Sequence, residues 1–282
     1  MHAKKVAVVT GSNVGIGFET AVGLAAAGYH VVLACRDVEK ASRARDALDA
    51  RVPGASAVVE QLDLSELASV RSFAERFRSA HDRLDVLVHN AAIVPSQRRV
   101  TADGFEMQFG VNHLGPFLLT ELLLDRLERA RPSRIVVVSS SVHEGAQIDF
   151  DDLNAEKKYS TMTTYGRTKL MNMLFVRALS KRIAGKGITI NAVHPGVVST
   201  ELARDFPLPF RLMARLFFST PEKGARTSLF VALDPSLDGV TGKYFASSKE
   251  KKPGAAALDD AAAERLLAIS SDLVTTGSIN PN

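Results

Sequence analysis

One cysteine, Cys35, stands in the 282 residues, and tryptophan is absent. A lone cysteine cannot close an internal disulfide, which excludes a disulfide scaffold and favours a reducing, cytoplasmic setting. Glycine (19) and proline (11) are too few for a collagen-like or low-complexity chain. Long apolar runs are missing as well. The longest stretch free of Asp, Glu, Lys and Arg is 20–35, and it holds Gly23, Gly28 and His30, so no membrane span is expected. The N-terminal apolar run at 6–9 is too short for a secretory signal and leads straight into glycines. Charge of one sign is scarce: 35 Lys+Arg against 31 Asp+Glu leaves +4. With no basic stripe carrying interleaved aromatics, nucleic-acid binding is not expected. The one dense basic patch, 249–252 (KEKK), reads as a solvated loop. No metal site is expected.

What is present is core material, 46% apolar, without repeats or linkers. Short β-branched runs alternate with Ala/Leu/Arg-rich segments. Strands are expected at 5–10, 30–35, 56–61, 84–89, 134–139, 188–194 and 239–245. Helices are expected at 17–27, 38–51, 65–79, 104–130 (bent near Gly115-Pro116), 163–183 and 221–233. Ser65 and Glu66 suit the third helix's N-terminus. Strands alternating with helices and reading as continuous apolar runs imply an α/β fold. It is a doubly wound parallel sheet with helices on both faces, filling 1–282 as one domain. The segment 246–282 is read as a C-terminal extension.

Between the first strand and first helix lies Thr10-Gly11-Ser12-Asn13-Val14-Gly15-Ile16-Gly17. Gly11 permits a sharp turn, Gly15 admits a pyrophosphate to the backbone, and Gly17 allows close packing. The helix N-terminus supplies free N–H groups to the anion. The spacing T-G-x-x-x-G-x-G resembles the short-chain dehydrogenase/reductase family, whose Rossmann-type fold binds a nicotinamide cofactor. At the end of the second strand, Cys35 replaces the acid carried by the family's NAD enzymes, and Arg36 follows. A guanidinium there suits a 2′-phosphate, so NADP(H) is preferred over NAD(H). Asp37, two positions on, keeps the NAD reading open.

The resemblance extends through further motifs. Asp63-Leu64 matches the family's adenine contact, with helix capping as the local alternative for Asp63. Asn90 and Ala91 match its N-A pair, and His89 reads as a packed strand-end residue. Tyr165 and Lys169 form Y-x-x-x-K, one helical face; a neighbouring ammonium is expected to lower the phenol's pKa. Three serines, 139–141, end the fifth strand. The resemblance assigns Ser140 to the substrate oxygen, with a register open by one. It assigns Asn112 to a water-mediated proton relay, completing a tetrad with Tyr165 and Lys169. Pro195, Gly196, Val198 and Thr200 match the loop that contacts the nicotinamide carboxamide.

Twenty-five positions separate Ser140 from Tyr165. That insert, with A-C-R-D at 34–37 and V-N-H-L-G-P-F at 111–117, resembles the retinol-dehydrogenase and WW-domain-oxidoreductase-like branch. The chain starts at its first strand, so the membrane anchor of many retinol dehydrogenases is not expected. A dense apolar stretch at 200–220 reads as a substrate lid for a lipophilic carbonyl or alcohol. It reads equally as a helix packed on the core, and a basic amphipathic face there would allow peripheral membrane contact. The expected activity is NADP(H)-dependent alcohol–carbonyl interconversion. C=C reduction and a non-catalytic NADP-binding sensor are the rivals. Homodimers or homotetramers are expected to form through the helices at 104–130 and 163–183.

Overall fold

In the computed structural model the described residues are 4–196 and 220–277. Apolar runs form strands β1 (Val6–Thr10), β2 (His30–Cys35), β3 (Ser56–Gln61), β4 (Val86–His89), β5 (Ser133–Val138) and β6 (Ile188–His194). They interleave with helices α1 (Gly15–Ala26), α2 (Val38–Arg51), α3 (Leu67–Ala80), α4 (Met107–Phe109), α5 (Gly115–Ala130) and α6 (Thr161–Arg182). Helix α7 (Pro221–Leu233), strands β7 (Tyr244–Ala246) and β8 (Lys249–Lys251), and helix α8 (Asp260–Thr276) follow.

One eight-stranded sheet results, in the order β3-β2-β1-β4-β5-β6-β7-β8. Every pair is parallel except β7–β8. The residues of β1 and β4 are all buried, as strands covered on both faces should be. One core, rich in phenylalanine (Phe73, Phe77, Phe105, Phe109, Phe117, Phe175), lies beneath α3, α5, α6 and α8. The other lies beneath α1, α2 and α7 around Leu24, Leu33, Leu48 and Val231. This is the expected doubly wound Rossmann-type domain. Its strand order reverses between β1 and β4, which opens a crevice at their carboxyl ends.

Four local expectations are corrected. The helix expected from 104 begins at Met107, because the buried Glu106 carboxylate caps it by accepting from the N–H of Gln108 (2.9 Å) and Phe109 (2.8 Å). It then passes through a π-helical turn, Gly110–Leu114, before α5. Helix α3 starts at Leu67 rather than 65, since Asp63 Oδ1 captures both the N–H and hydroxyl of Ser65. The last strand is shorter than expected. Asn191 takes over the backbone before it, donating to Val240 O (2.7 Å) and accepting from Lys243 N (2.9 Å). The basic patch is an exposed edge strand, β8, not a loop. Ser247 and Ser248, both at positive φ, make the tight hairpin turn that joins it to β7.

The C-terminal extension is part of the fold. Helix α8 packs along α6 and buries Ala263, Leu266 and Val274 in the first core. It thereby covers part of α6. No helix among the described residues is long and apolar enough to cross a membrane. The same residues hold no cluster of metal-ligating side chains.

Candidate active site

The loop after β1 is built around its glycines. Gly11 and Gly15 hold positive φ (64° and 59°), which other L-residues adopt at a cost. A Cβ on Gly17 would lie 2.3 Å from Gly11 O and 2.4 Å from Asn90 Nδ2, so only glycine fits there. Asn90 donates from Nδ2 to Thr10 O (2.9 Å) and Gly11 O (3.2 Å). Thr10 Oγ1 in turn accepts from the N–H groups of Asn90 and Ala91. Asn90, Ala91 and Thr10 thus tie the end of β4 to the glycine loop across the switch point. The first residue of the T-G motif was the available signal for Thr10.

Helix α1 opens with no side-chain cap and no acid in its first turn, and a Cβ on Gly15 would meet open space. Free N–H groups, a positive dipole end and an open approach fit a pyrophosphate. Asn13 is half-buried at this entrance, whereas the Ile16 and Leu64 side chains are buried. The Ser12 hydroxyl is also buried and donates to Val9 O (2.9 Å), so Ser12 offers a ligand main chain only.

Cys35 is buried beside Ser12 Oγ (3.5 Å), and burial pushes its thiol pKa up. Arg36 is 71% exposed, with Nε 3.9 Å from Asp63 Oδ2. Asp37 is committed elsewhere. It caps α2 through Lys40 N and pairs with Lys40 Nζ at 2.8 Å. At this edge the guanidinium is more exposed than Asp37 or Lys40.

The chemistry-bearing side chains gather at the carboxyl end of β5. Ser139 Oγ is buried and donates to Lys169 O (2.9 Å), and Ser141 is exposed at the start of a 3₁₀ turn, Ser141–Gly145. Between them Ser140 shares a side-chain hydrogen bond with the Tyr165 phenol. Lys169, 2% exposed, donates from Nζ to Val138 O (2.9 Å) and lies 5.5 Å from the Tyr165 ring centroid.

The expected direction of the Tyr165 shift is corrected. Burial pushes its pKa up to about 12, against which the Ser140 hydrogen bond pulls down. Burial also pushes Lys169 down to about 8. Desolvation, which disfavours the charged form of each group, is the largest cause of both shifts.

Asn112 occupies the π-helical turn. Its Oδ1 accepts from Ile93 N (2.8 Å), while Nδ2 donates to Ile93 O (3.0 Å) and Thr168 Oγ1 (3.2 Å). Its side chain therefore braces α6 against the segment after β4. His89 is a packed strand-end residue, bonded to Thr120 Oγ1 at 2.7 Å and held neutral by burial, with a pKa of about 3. Pro195 and Gly196 follow β6 at the same sheet edge. Val198, Thr200 and most of the expected lid lie outside the described residues.

Comparison with known proteins gives the family. The family model described as short chain dehydrogenase matches residues 5–208. The chain belongs to this family. Human retinol dehydrogenase 14 is 43% identical over 97% of this chain and 87% of its own length. Mouse retinol dehydrogenase 12 is 45% identical over 96% and 86%. Among solved structures, a putative uncharacterized protein from Mycobacterium paratuberculosis superposes with a TM-score of 0.79. It is 34% identical, over 97% of this chain and 94% of that one. Within the short-chain dehydrogenases the chain falls in the retinol-dehydrogenase-like branch, and it is an oxidoreductase of that family.

Proposed function

We propose that the protein interconverts a lipophilic alcohol and its carbonyl compound with NADP(H), the whole chain working as one catalytic domain. The observation that carries this reading is the Ser140–Tyr165 pair over the buried Lys169, beside a glycine loop open to a pyrophosphate. When bound, the nicotinamide group supplies or accepts the hydride.

The chain's own residues handle orientation and the proton. The Ser140 hydroxyl and Tyr165 phenol hold the substrate oxygen. Tyr165 gives its proton to that oxygen on reduction and takes one on oxidation. A phenol pushed up to about 12 is fully protonated at neutral pH, which suits it as the acid. Lys169 keeps donors beyond the one spent on Val138 O, enough to hold ribose hydroxyls. Arg36 is the residue to pair with a 2′-phosphate. The names of the relatives place retinoids first among substrates to try, and the buried, unpaired Cys35 suits a cytoplasmic setting.

The test is NADPH oxidation and NADP reduction across a panel of retinoids, steroids and aliphatic aldehydes and alcohols. Tyr165→Phe is expected to lower kcat by about 10²–10⁴-fold while NADPH binding persists. Near-normal turnover in that variant would refute the mechanism.

A further inference from the structure

His143 is fully buried in the 3₁₀ turn that follows Ser140, and both of its ring nitrogens are spoken for. Nδ1 lies 2.6 Å from the backbone carbonyl of Ser140. A carbonyl only accepts, so Nδ1 carries the proton. Nε2 accepts from the N–H of Gly254 at 3.2 Å. An N–H only donates, so Nε2 is bare. The ring is therefore neutral and in one tautomer, set by two main-chain partners 114 positions apart in sequence.

The surroundings leave it little freedom. The imidazole meets the Tyr244 ring edge-on, 5.0 Å between centroids at 81°. Gly254 presses against the same turn, because a Cβ there would lie 2.8 Å from Glu144 Cα. The Ser140 carbonyl also accepts from His143 N (3.1 Å), so two donors from one residue clamp it. Ser140 itself is extended (φ −157°, ψ 154°), and its side chain makes no capping hydrogen bond to the turn it precedes.

We infer that His143 is a positioning residue for catalysis. Its Nδ1–H fixes the Ser140 carbonyl, and through that peptide the angle at which the Ser140 hydroxyl meets Tyr165. The inference rests on the proposed roles of Ser140 and Tyr165. It adds that the C-terminal segment at Gly254, far from the family motifs, helps to set that geometry by holding the opposite side of the ring.

Two conservative variants separate positioning from anchoring. His143→Asn places an amide N–H near the position of Nδ1 and leaves Gly254 without its acceptor. His143→Gln places an amide oxygen near Nε2 and leaves the Ser140 carbonyl without its ring donor. His143→Leu removes both bonds.

If His143 positions Ser140, His143→Asn keeps kcat within about threefold of wild type. His143→Gln and His143→Leu then lose about 10–100-fold in kcat, with the KM for substrate and the Kd for NADPH within about twofold. Because the Ser140 hydrogen bond pulls the phenol's pKa down, the alcohol-oxidation profile of those two variants should also move to higher pH. Rescue by Gln but not Asn would overturn the inference, since the ring would then serve only to anchor Gly254. Equal activity in all variants would overturn it too. If His143→Leu does not fold, the Asn–Gln comparison still decides.

If the wild type turns over no substrate of the panel, the proposed function falls by itself. ¹⁵N spectra of histidine-labelled protein, assigned by comparison with His143→Asn, then read the ring directly. A neutral ring protonated at Nδ1 supports the clamp, and a proton on Nε2 overturns it.

Discussion

Lys169 is an ammonium 2% exposed, with a backbone carbonyl for a partner and no carboxylate within ion-pair distance among the described residues. Burial holds its pKa at about 8, below the ordinary 10.5. From pH 8 to 10.5 the unfolded chain therefore binds more protons at this position than the folded one, so stability rises with pH across that window. Below pH 8 both states are protonated and the full penalty applies, on the order of 3 kcal/mol from the size of the shift. Lys169→Met removes the buried charge and strands Val138 O. A net gain of about 1–2 kcal/mol at pH 7 is expected, raising Tm by roughly 2–6 °C. Turnover should be lost. Thermal melts of both proteins at pH 7 and pH 10 check the sign, since the gap must narrow at the higher pH. A side chain that destabilises its own fold is readily understood if it serves the chemistry.

At the scale of elements, what could be read from the chain was what local pattern encodes. Buried runs such as Val6–Thr10 gave strands within about two residues, and Val38–Arg51 matched its helix end to end because Asp37 caps it in sequence. Tyr165 and Lys169 were legible for the same reason, being one turn apart. The π-helical turn at 110–114 was not, because an i→i+5 bond leaves no trace in residue type. Nor was the raised Tyr165 pKa, which depends on burial from several elements, or the His143 clamp, whose second partner is Gly254.

Helix α8 was missed since its Ala-rich stripe is weak alone and gains meaning only against α6. Its Ser270, fully buried, meets His113 Nε2 at 2.8 Å. His113 is held neutral by burial, with a pKa of about 3, and sits next to Asn112 in the π-helical turn. Ser270→Ala leaves that nitrogen without its hydroxyl partner in a buried site. It is expected to cost about 1–3 kcal/mol in urea unfolding, through an element that carries no family motif. A change below about 0.5 kcal/mol would mean that α8 is held by its apolar contacts alone.

For the molecule as a whole, the small net charge of +4 exerts little long-range pull. The proposed preference for NADP(H) over NAD(H) rests on one local charge at the sheet edge. Arg36 is exposed and reaches Asp63 at 3.9 Å, a distance at which it is free to turn toward a phosphate. A ligand that binds only the folded state stabilises it by mass action, by about 2.7 kcal/mol at one hundred times its Kd. For a domain of this size that is a Tm rise of roughly 4–6 °C. At equal concentration NADPH should therefore raise Tm well beyond NADH. In Arg36→Ala the NADPH shift should fall to the NADH value while the NADH shift is unchanged, since that variant removes a contact NADH never makes. Equal shifts in the wild type would reverse the cofactor assignment and turn attention to Asp37. The measurement needs no substrate, so it tests the cofactor independently of the proposed reaction.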